Sequence, residues 1–352
     1  MKEMLCKSLT TPFEEVKNTC RPYPRPQMKR ESYQSLCGEW ELYVFKHREE
    51  YLGKITVPYP PESRISGIGR TLEQGEKYIY RKTFTVTEDF VKDRVLLHFG
   101  AADRISVVTL NGITYPENVG GYLPFSFDIT DAFRVGENLI EVEIQDDFEP
   151  DAAWGKQRSR RGGMWYTPIS GIWQDVWLES VNEGYIKSIK ITPFLDRVII
   201  ETEGGAENKS IVFNSDTFSY SGDSYTLFVK DPVLWTPETP HLYEFTVTDG
   251  RDTVDSYFAL RTVTIEKRGE HRYICLNGKP YYFHALLDQG YFSDGIYTPS
   301  SPEGYAFDIT EMKKQGFNTL RKHIKIEPDI FYYYCDKYGM AVFQDMVNSG
   351  EY

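Results

Sequence analysis

A chain of 352 residues, 40% hydrophobic and 26% charged, is long enough for two to three domains, each with a core of its own. Its net charge of -12 argues against a polyanion partner, because nucleic-acid binders need a basic face to displace counterions. No run of eighteen apolar residues occurs, and the first twenty residues carry charges and Pro where a signal peptide would have an apolar core. The five cysteines (Cys6, Cys20, Cys37, Cys275, Cys335) are odd in number and scattered, so no disulfide framework is expected and a reducing cytoplasm is favoured.

Residues 1 to about 265 read as almost wholly β. Arg81, Thr83 and Thr85 alternate with Phe84 and Val86, and Glu141 and Glu143 alternate with Ile140, Val142 and Ile144. A period of two marks strands with one wet face. Asn111-Gly112, between Ile105–Leu110 and Ile113–Tyr115, suits a two-residue type I′ hairpin, since both central positions need positive φ. Short strands punctuated by Gly, Asp, Asn and Pro imply a β-sandwich over 1–182. A second block, 183–265, offers strands at Tyr185–Thr192, Val198–Thr202, Ser210–Phe213, Tyr225–Val229, Tyr243–Thr248 and Ser256–Thr264. That density suits an immunoglobulin-like sandwich, although no Cys pair flanks a central Trp.

The remainder, 266–352, changes pattern. After the turn-like Asn277-Gly278-Lys279-Pro280, the run Tyr281–Asp288 has strand character. A helix is predicted with Ser301 as N-cap, Pro302 at its first position, Lys313 and Lys314 in its last turn and Gly316 beyond. Phe317–His323 is a second strand, Pro328 opens a second helix that closes at Gly339, and Met340–Met346 is a third strand. This alternation implies right-handed βαβ units and a parallel sheet, the opening three strands of a (β/α)8 barrel. An open doubly wound sheet competes, but the glycine-rich phosphate loop it usually carries is not visible. Unpaired parallel edges predict that proteolysis cuts after about residue 280 and spares 1–265.

Several motifs resemble, in order, the sugar-binding jelly-roll domain of family 2 glycoside hydrolases. They are Tyr78–Val86 (YIYRKTFTV), Ala102–Gly112 (ADRISVVTLNG), Gly120–Thr130 (GGYLPFSFDIT), Gly136–Ile144 (GENLIEVEI) and Ser170–Glu179 (SGIWQDVWLE). Trp235–Tyr243 (WTPETPHLY) and Phe258–Thr264 (FALRTVT) resemble the end of that family's immunoglobulin-like domain, and Asn277–Pro280 resembles the approach to its TIM barrel. Gly316–Gly350, carrying RKHIKIEP, YYYCDKYGM and VFQDM, continues the match. The fold implied is multidomain: a galactose-binding-like jelly roll, an immunoglobulin-like sandwich and an incomplete TIM barrel.

The resemblance implies retaining hydrolysis of β-linked sugars, as in β-galactosidases, β-glucuronidases and β-mannosidases. Such chemistry uses two carboxyl groups roughly 5–5.5 Å apart, one as acid/base and one as nucleophile. In the family these end barrel strands four and seven, so both are expected beyond Tyr352, and the chain alone is expected to be inactive. The sole Asn-Glu, Asn182-Glu183, falls at the boundary between the two β domains and reads as structural. Site-wall residues are expected at the C-terminal strand ends: Asp288, Arg321, His323 and Asp345. Arg321 matches the second-strand Arg that family members place beneath the nucleophile; the family more usually has its His three residues after that Arg, whereas His323 follows by two. Trp165 and Tyr166, after the basic run Arg158–Gly163, belong to a loop that in the family approaches the barrel mouth. Trp173 and Trp177, four apart, read as one face of a strand packed between sheets.

No cofactor or metal is expected, since the six histidines lack metal-site spacing and no Cys-x-x-Cys occurs. The expected partner is a β-glycoside or oligosaccharide, with neither nucleic acid nor membrane, and either a homo-oligomer or a second chain completing the barrel. A non-catalytic carbohydrate-binding protein is the alternative.

Overall fold

The computed structural model describes residues 21–146, 152–158 and 162–348. The first sandwich faces a four-stranded sheet, ordered Tyr33–Ser35, Val176–Val181, Arg94–Phe99, Phe125–Asp128, against a larger antiparallel sheet. That larger sheet runs Glu49–Val57, Gly38–Phe45, Lys77–Val86, Gly136–Gln145, Ile105–Leu110, Ile113–Thr114, with Asn118–Val119 beside Ile105–Leu110. Alternation decides what faces inward: in Gly38–Phe45, Trp40, Leu42 and Val44 are buried while Glu39, Glu41 and Phe45 meet solvent. Lys77–Val86 pairs along its whole length with Gly136–Gln145, as their matching period requires. Asn111 (φ 50°) and Gly112 (φ 87°) close the expected hairpin.

The second sandwich packs Ile186–Pro193, Arg197–Gly204 and Ser224–Phe228 on Asp216–Ser221, Asn208–Phe213, Tyr243–Thr248 and Thr253–Phe258. Asp216–Ser221 escaped sequence reading because it is an edge strand with no fully buried residue. The expected strand Ser256–Thr264 is two strands. The first ends at Phe258, the Leu260 carbonyl then accepts from the Trp235 N–H at 2.9 Å, and Val263–Arg268 starts a separate hairpin with His271–Leu276. Trp173 and Trp177 do not share a strand face either: Trp173 lies between Gly171–Ile172 and Val176–Val181, and only Trp177 is in a strand. Both are buried.

Residues 21–30 strap the two sandwiches together. Arg30 pairs with Glu179 of the first at 2.9 Å and with Asp252 of the second at 2.9 Å, and also donates to the Ile186 carbonyl at 2.6 Å. Arg25 pairs with the same Glu179 at 2.5 Å, and Tyr23 hydrogen-bonds it. Burial alone would raise the Glu179 pKa, but Arg25, with His98 and Arg30, outweighs it and holds the carboxyl at about 2.

The last unit is β-α-β-α-β: strands Ala285–Asp288, Thr319–Lys322 and Ala341–Gln344 pair in parallel, joined by helices Glu303–Lys314 and Asp329–Tyr338. The strands are shorter than their apolar runs because pairing begins only at the register Ala285, Thr319, Ala341. Ser301 caps nothing through its side chain; Pro302 holds the capping position and the helix starts at Glu303. The second helix ends as expected at Gly339, whose φ of 75° suits the left-handed stop. Among the described residues no helix is long and apolar enough to cross a membrane. Cys37, Cys275 and Cys335 form no disulfide, while Cys6 and Cys20 lie outside the described residues.

This unit is fastened to both sandwiches. Trp235 Nε1–H donates to the Asp336 carbonyl at 2.7 Å and Arg261 pairs with the Asp336 carboxylate at 2.6 Å. On the other side the Tyr59 hydroxyl donates to Ser300 O and the Thr298 hydroxyl to Trp173 O, each at 2.5 Å. Limited proteolysis followed by mass spectrometry is therefore expected to leave 281–348 attached, contrary to the lability that its open edges alone suggested.

Glu62 accepts from the Ser170 hydroxyl at 2.6 Å and the Ser170 N–H at 3.1 Å. Withdrawal from water pushes its pKa up to about 8, more strongly than these bonds pull it down. A carboxyl raised in the folded state favours folding below its unfolded pKa and loses that contribution as pH climbs through the folded value. Glu62→Gln is therefore expected to raise Tm over wild type at pH 9, with the gap closing as pH falls from 8 toward 4.5. Thermal melts across that range check it.

Candidate functional site

Two faces of the parallel sheet divide the predicted site residues. Leu320 and Lys322 point to the helices, whereas Leu287, Arg321 and Phe343, in register across the three strands, are exposed on the other face. Arg321 grips Asp345: its Nε lies 3.1 Å from both carboxylate oxygens and its second guanidinium nitrogen, Nη2, is 3.0 Å away. Such a fork fixes the guanidinium plane. Its Nη1 group has no hydrogen bond among the described residues.

His323 follows at the strand end, where its N–H donates to the Asp288 carbonyl at 2.8 Å. Its Nδ1 is 2.8 Å from the Tyr166 hydroxyl, which arrives from the first sandwich 157 positions earlier in the chain. Burial, with the charge of Lys156 next, lowers the His323 pKa, and Arg321 adds to this against the opposing Asp345. The shift favours the neutral imidazole, suited to the hydrogen bond with Tyr166.

The Tyr166 loop is held by Gln157, which is buried. Its Nε2 donates to the hydroxyls of Tyr122 at 2.9 Å and Tyr297 at 3.3 Å, and its Oε1 accepts from Ile169 N at 2.5 Å. Tyr291 meets Tyr166 edge-on at 5.4 Å and donates to the Thr167 carbonyl at 3.2 Å. Trp165, Tyr166, Thr167, Gln289 and Tyr291 line an open cleft of about 330 Å³. Four of the six predicted residues thus converge through two contacts, Tyr166 with His323 and Arg321 with Asp345, and Trp165 borders them.

Asp288 does not join them. Its carboxylate takes Lys322 Nζ at 2.6 Å, on the helix side. Burial would raise its pKa, but Lys322 outweighs it and holds it below the ordinary value. Lys322 also pairs with Glu327 at 2.8 Å, and Lys325, at 2.9 Å from Glu327, donates to the carbonyls of Gly290 at 2.7 Å and Tyr297 at 2.8 Å. Burial pulls Lys325 down to about 8. This cluster carries the loops that shape the strand ends. The sequence signal for this cluster is the offset of the Lys322 side chain from Arg321 by one strand position within RKHIKIEP. Gln157 gave no signal beyond its place beside the basic run, of which Ser159, Arg160 and Arg161 lie outside the described residues.

The described residues thus form two β-sandwiches followed by a parallel β-α-β-α-β unit with polar groups at its strand ends. Residues 69–170 match the family described as glycosyl hydrolase 2 galactose-binding domain-like, and residues 187–261 match glycosyl hydrolases family 2. The chain belongs to glycoside hydrolase family 2, of which it carries the N-terminal portion.

Among its relatives, a putative β-glucuronidase of Formosa agariphila is 26% identical over 295 residues, covering 76% of this chain and 27% of the relative. A β-galactosidase of Thermoanaerobacter pseudethanolicus is 27% identical over 296 residues, covering 76% and 39%. The chain thus spans about a quarter to two fifths of the length of these relatives. A β-galacturonidase from Eisenbergiella tayi, solved bound to galacturonate, superposes with a TM-score of 0.74 at 20% identity over 92% of this chain and 60% of that one. A β-glucuronidase of an uncultured Clostridium sp. gives 0.77 at 20% identity, over 91% and 60%.

Proposed function

We propose that this chain is the N-terminal part of a retaining glycosidase that hydrolyses β-linked sugars, with the acid/base and nucleophile Glu supplied by sequence beyond residue 352. The observation that carries the reading is the meeting of Tyr166 and His323, from different domains, beside the Arg321–Asp345 pair at the C-terminal ends of parallel strands. Barrel enzymes build their sites at that end. In this reading 1–182 is the jelly roll, 183–265 the immunoglobulin-like domain and 266–352 the opening of a TIM barrel. Arg321, His323, Asp345, Trp165 and Tyr166 form part of the substrate wall, and the relatives' names supply β-galactosides and β-glucuronides as substrates to try first.

A non-catalytic carbohydrate-binding protein is the second reading, and a chain that pairs with another polypeptide is a variant of the first. The exposed sheet face favours the first reading. Leu287 is 48% and Phe343 37% exposed beside Arg321, with Met346 at 73% just beyond, and further strands would cover them. The test is to assay aryl β-galactosides and β-glucuronides with the 352-residue chain and with the full polypeptide that its coding sequence specifies. Turnover only in a protein carrying an Asn-Glu after a fourth strand is expected. Turnover by residues 1–352 alone, lost on mutating a residue within them, overturns the reading.

A further inference from the structure

Arg158, whose guanidinium rests on a wall residue of the cleft, differs from the chain's many arginines that are held by carboxylates. Arg30, Arg70, Arg81, Arg94 and Arg321 all grip carboxylates. Arg158 is exposed and forms no salt bridge among the described residues. Its guanidinium carbon instead lies 3.6 Å from the centre of the Trp165 ring and 5.6 Å from that of Trp154. The two indoles are themselves stacked, with centroids 5.6 Å apart and an interplanar angle of 20°.

A guanidinium laid on an indole keeps its N–H groups in the plane of its own fork, directed outward, and loses little further freedom when it takes up a planar anion. The stack is anchored at both ends. Trp154 N–H donates to the Asn348 carbonyl at 3.2 Å, and Arg158 N–H to the Tyr166 carbonyl at 3.2 Å. Trp165 in turn is a wall of the 330 Å³ cleft. Arg321 lies on the sheet itself, whereas Arg158 lies on the loop contributed by the first sandwich. A ligand spanning the two would place its inner sugar near Arg321 and its outer part near Arg158.

We infer that Arg158, stacked on Trp165 and Trp154, forms an anion-binding subsite for the aglycone side of the substrate, taking a carboxylate or sulfate carried by the leaving-group residue. The inference rests on the glycosidase reading for the position of the inner sugar. It adds the chemical class of the outer group, which nothing in that reading requires.

The experiment is isothermal titration calorimetry of the whole 352-residue chain with phenyl β-galactoside and phenyl β-glucuronide, each also as its para-carboxyphenyl and para-sulfooxyphenyl (sulfate ester) derivative. At least one anionic aglycone is expected to tighten Kd about fivefold over the phenyl parent for the same sugar, as one exposed ion pair allows. The preference should shrink at high salt. Tightening by carboxylate alone, by sulfate alone or by both tells which anion is the source. Arg158→Gln is expected to abolish the preference while leaving the phenyl parents within twofold, and Arg158→Lys to restore only part of it, since an ammonium cannot lie flat on the indole. Phenyl glycosides that bind without any preference for an anionic aglycone overturn the inference and leave the glycosidase reading standing. A preference that survives in Arg158→Gln overturns it equally. No binding by any of the six probes counts against both.

Discussion

Glu179→Gln is expected to lower stability by about 3–5 kcal/mol, the cost of breaking a buried ion pair and stranding its partner. The carboxylate is fully buried and serves Arg25 and Arg30 together, so a neutral amide leaves two guanidinium groups with less charge to meet. Arg30 keeps Asp252, and the loss falls mainly on the side of the first sandwich. The pH dependence has a definite sign. A carboxyl held at about 2 in the folded state, against an ordinary 4.5, contributes stability that is complete above 4.5 and lost as pH falls through 2. The difference between wild type and Glu179→Gln, read from urea midpoints, should therefore be widest near neutral pH and narrow steadily below 4.5. A difference that does not change with pH would assign the effect to packing.

Under the proposed glycosidase reading, Arg321→Lys in the full polypeptide is expected to reduce kcat/KM by roughly 10²–10³, the usual cost of one preorganised electrostatic contact. Lys keeps the charge but has no fork, so it cannot hold Asp345 through two parallel bonds while offering Nη1 to a second carboxylate. Because Arg321 lies on the exposed sheet face and not in the helix-packed core, Tm of the 352-residue chain should move little. Unchanged turnover in the full polypeptide would remove Arg321 from the site. A large fall in Tm would make it structural.

Periodicity made most of the architecture readable. The matched alternation of Lys77–Val86 and Gly136–Gln145, the Asn111-Gly112 turn and the Gly339 stop each express a local rule that tertiary structure did not override. What local rules could not carry was pairing. Ser256–Thr264 has an apolar, β-favouring run at its centre, yet the chain leaves one sheet and enters another within it. Trp173 and Trp177 have strand spacing, yet Trp173 serves a loop cluster with Tyr122 and Tyr297. The site was legible to the same extent. Arg321, His323 and Asp345 lie near one another in sequence or in register, whereas the approach of Tyr166 depends on how two domains dock. Asp288 lies apart from the other candidates because a strand end presents successive residues to opposite faces, and nothing local said that Lys322 would claim it.

Gln157 spends its side chain on three partners drawn from three stretches of the chain: Tyr122, Ile169 and Tyr297. Glu at that position would lose the donor to both hydroxyls, and Leu would strand a buried N–H and two phenols. Substitutions here are tolerable only in company. Across related sequences, positions 122, 157 and 297 should therefore change together or not at all, leaving a three-way covariation whose members lie 35 and 140 residues apart. Domain exchange between relatives meets the same constraint: a donated first sandwich brings Tyr122 and Gln157 but not Tyr297, so chimeras that mismatch the third position should misplace the Tyr166 loop even when every domain folds.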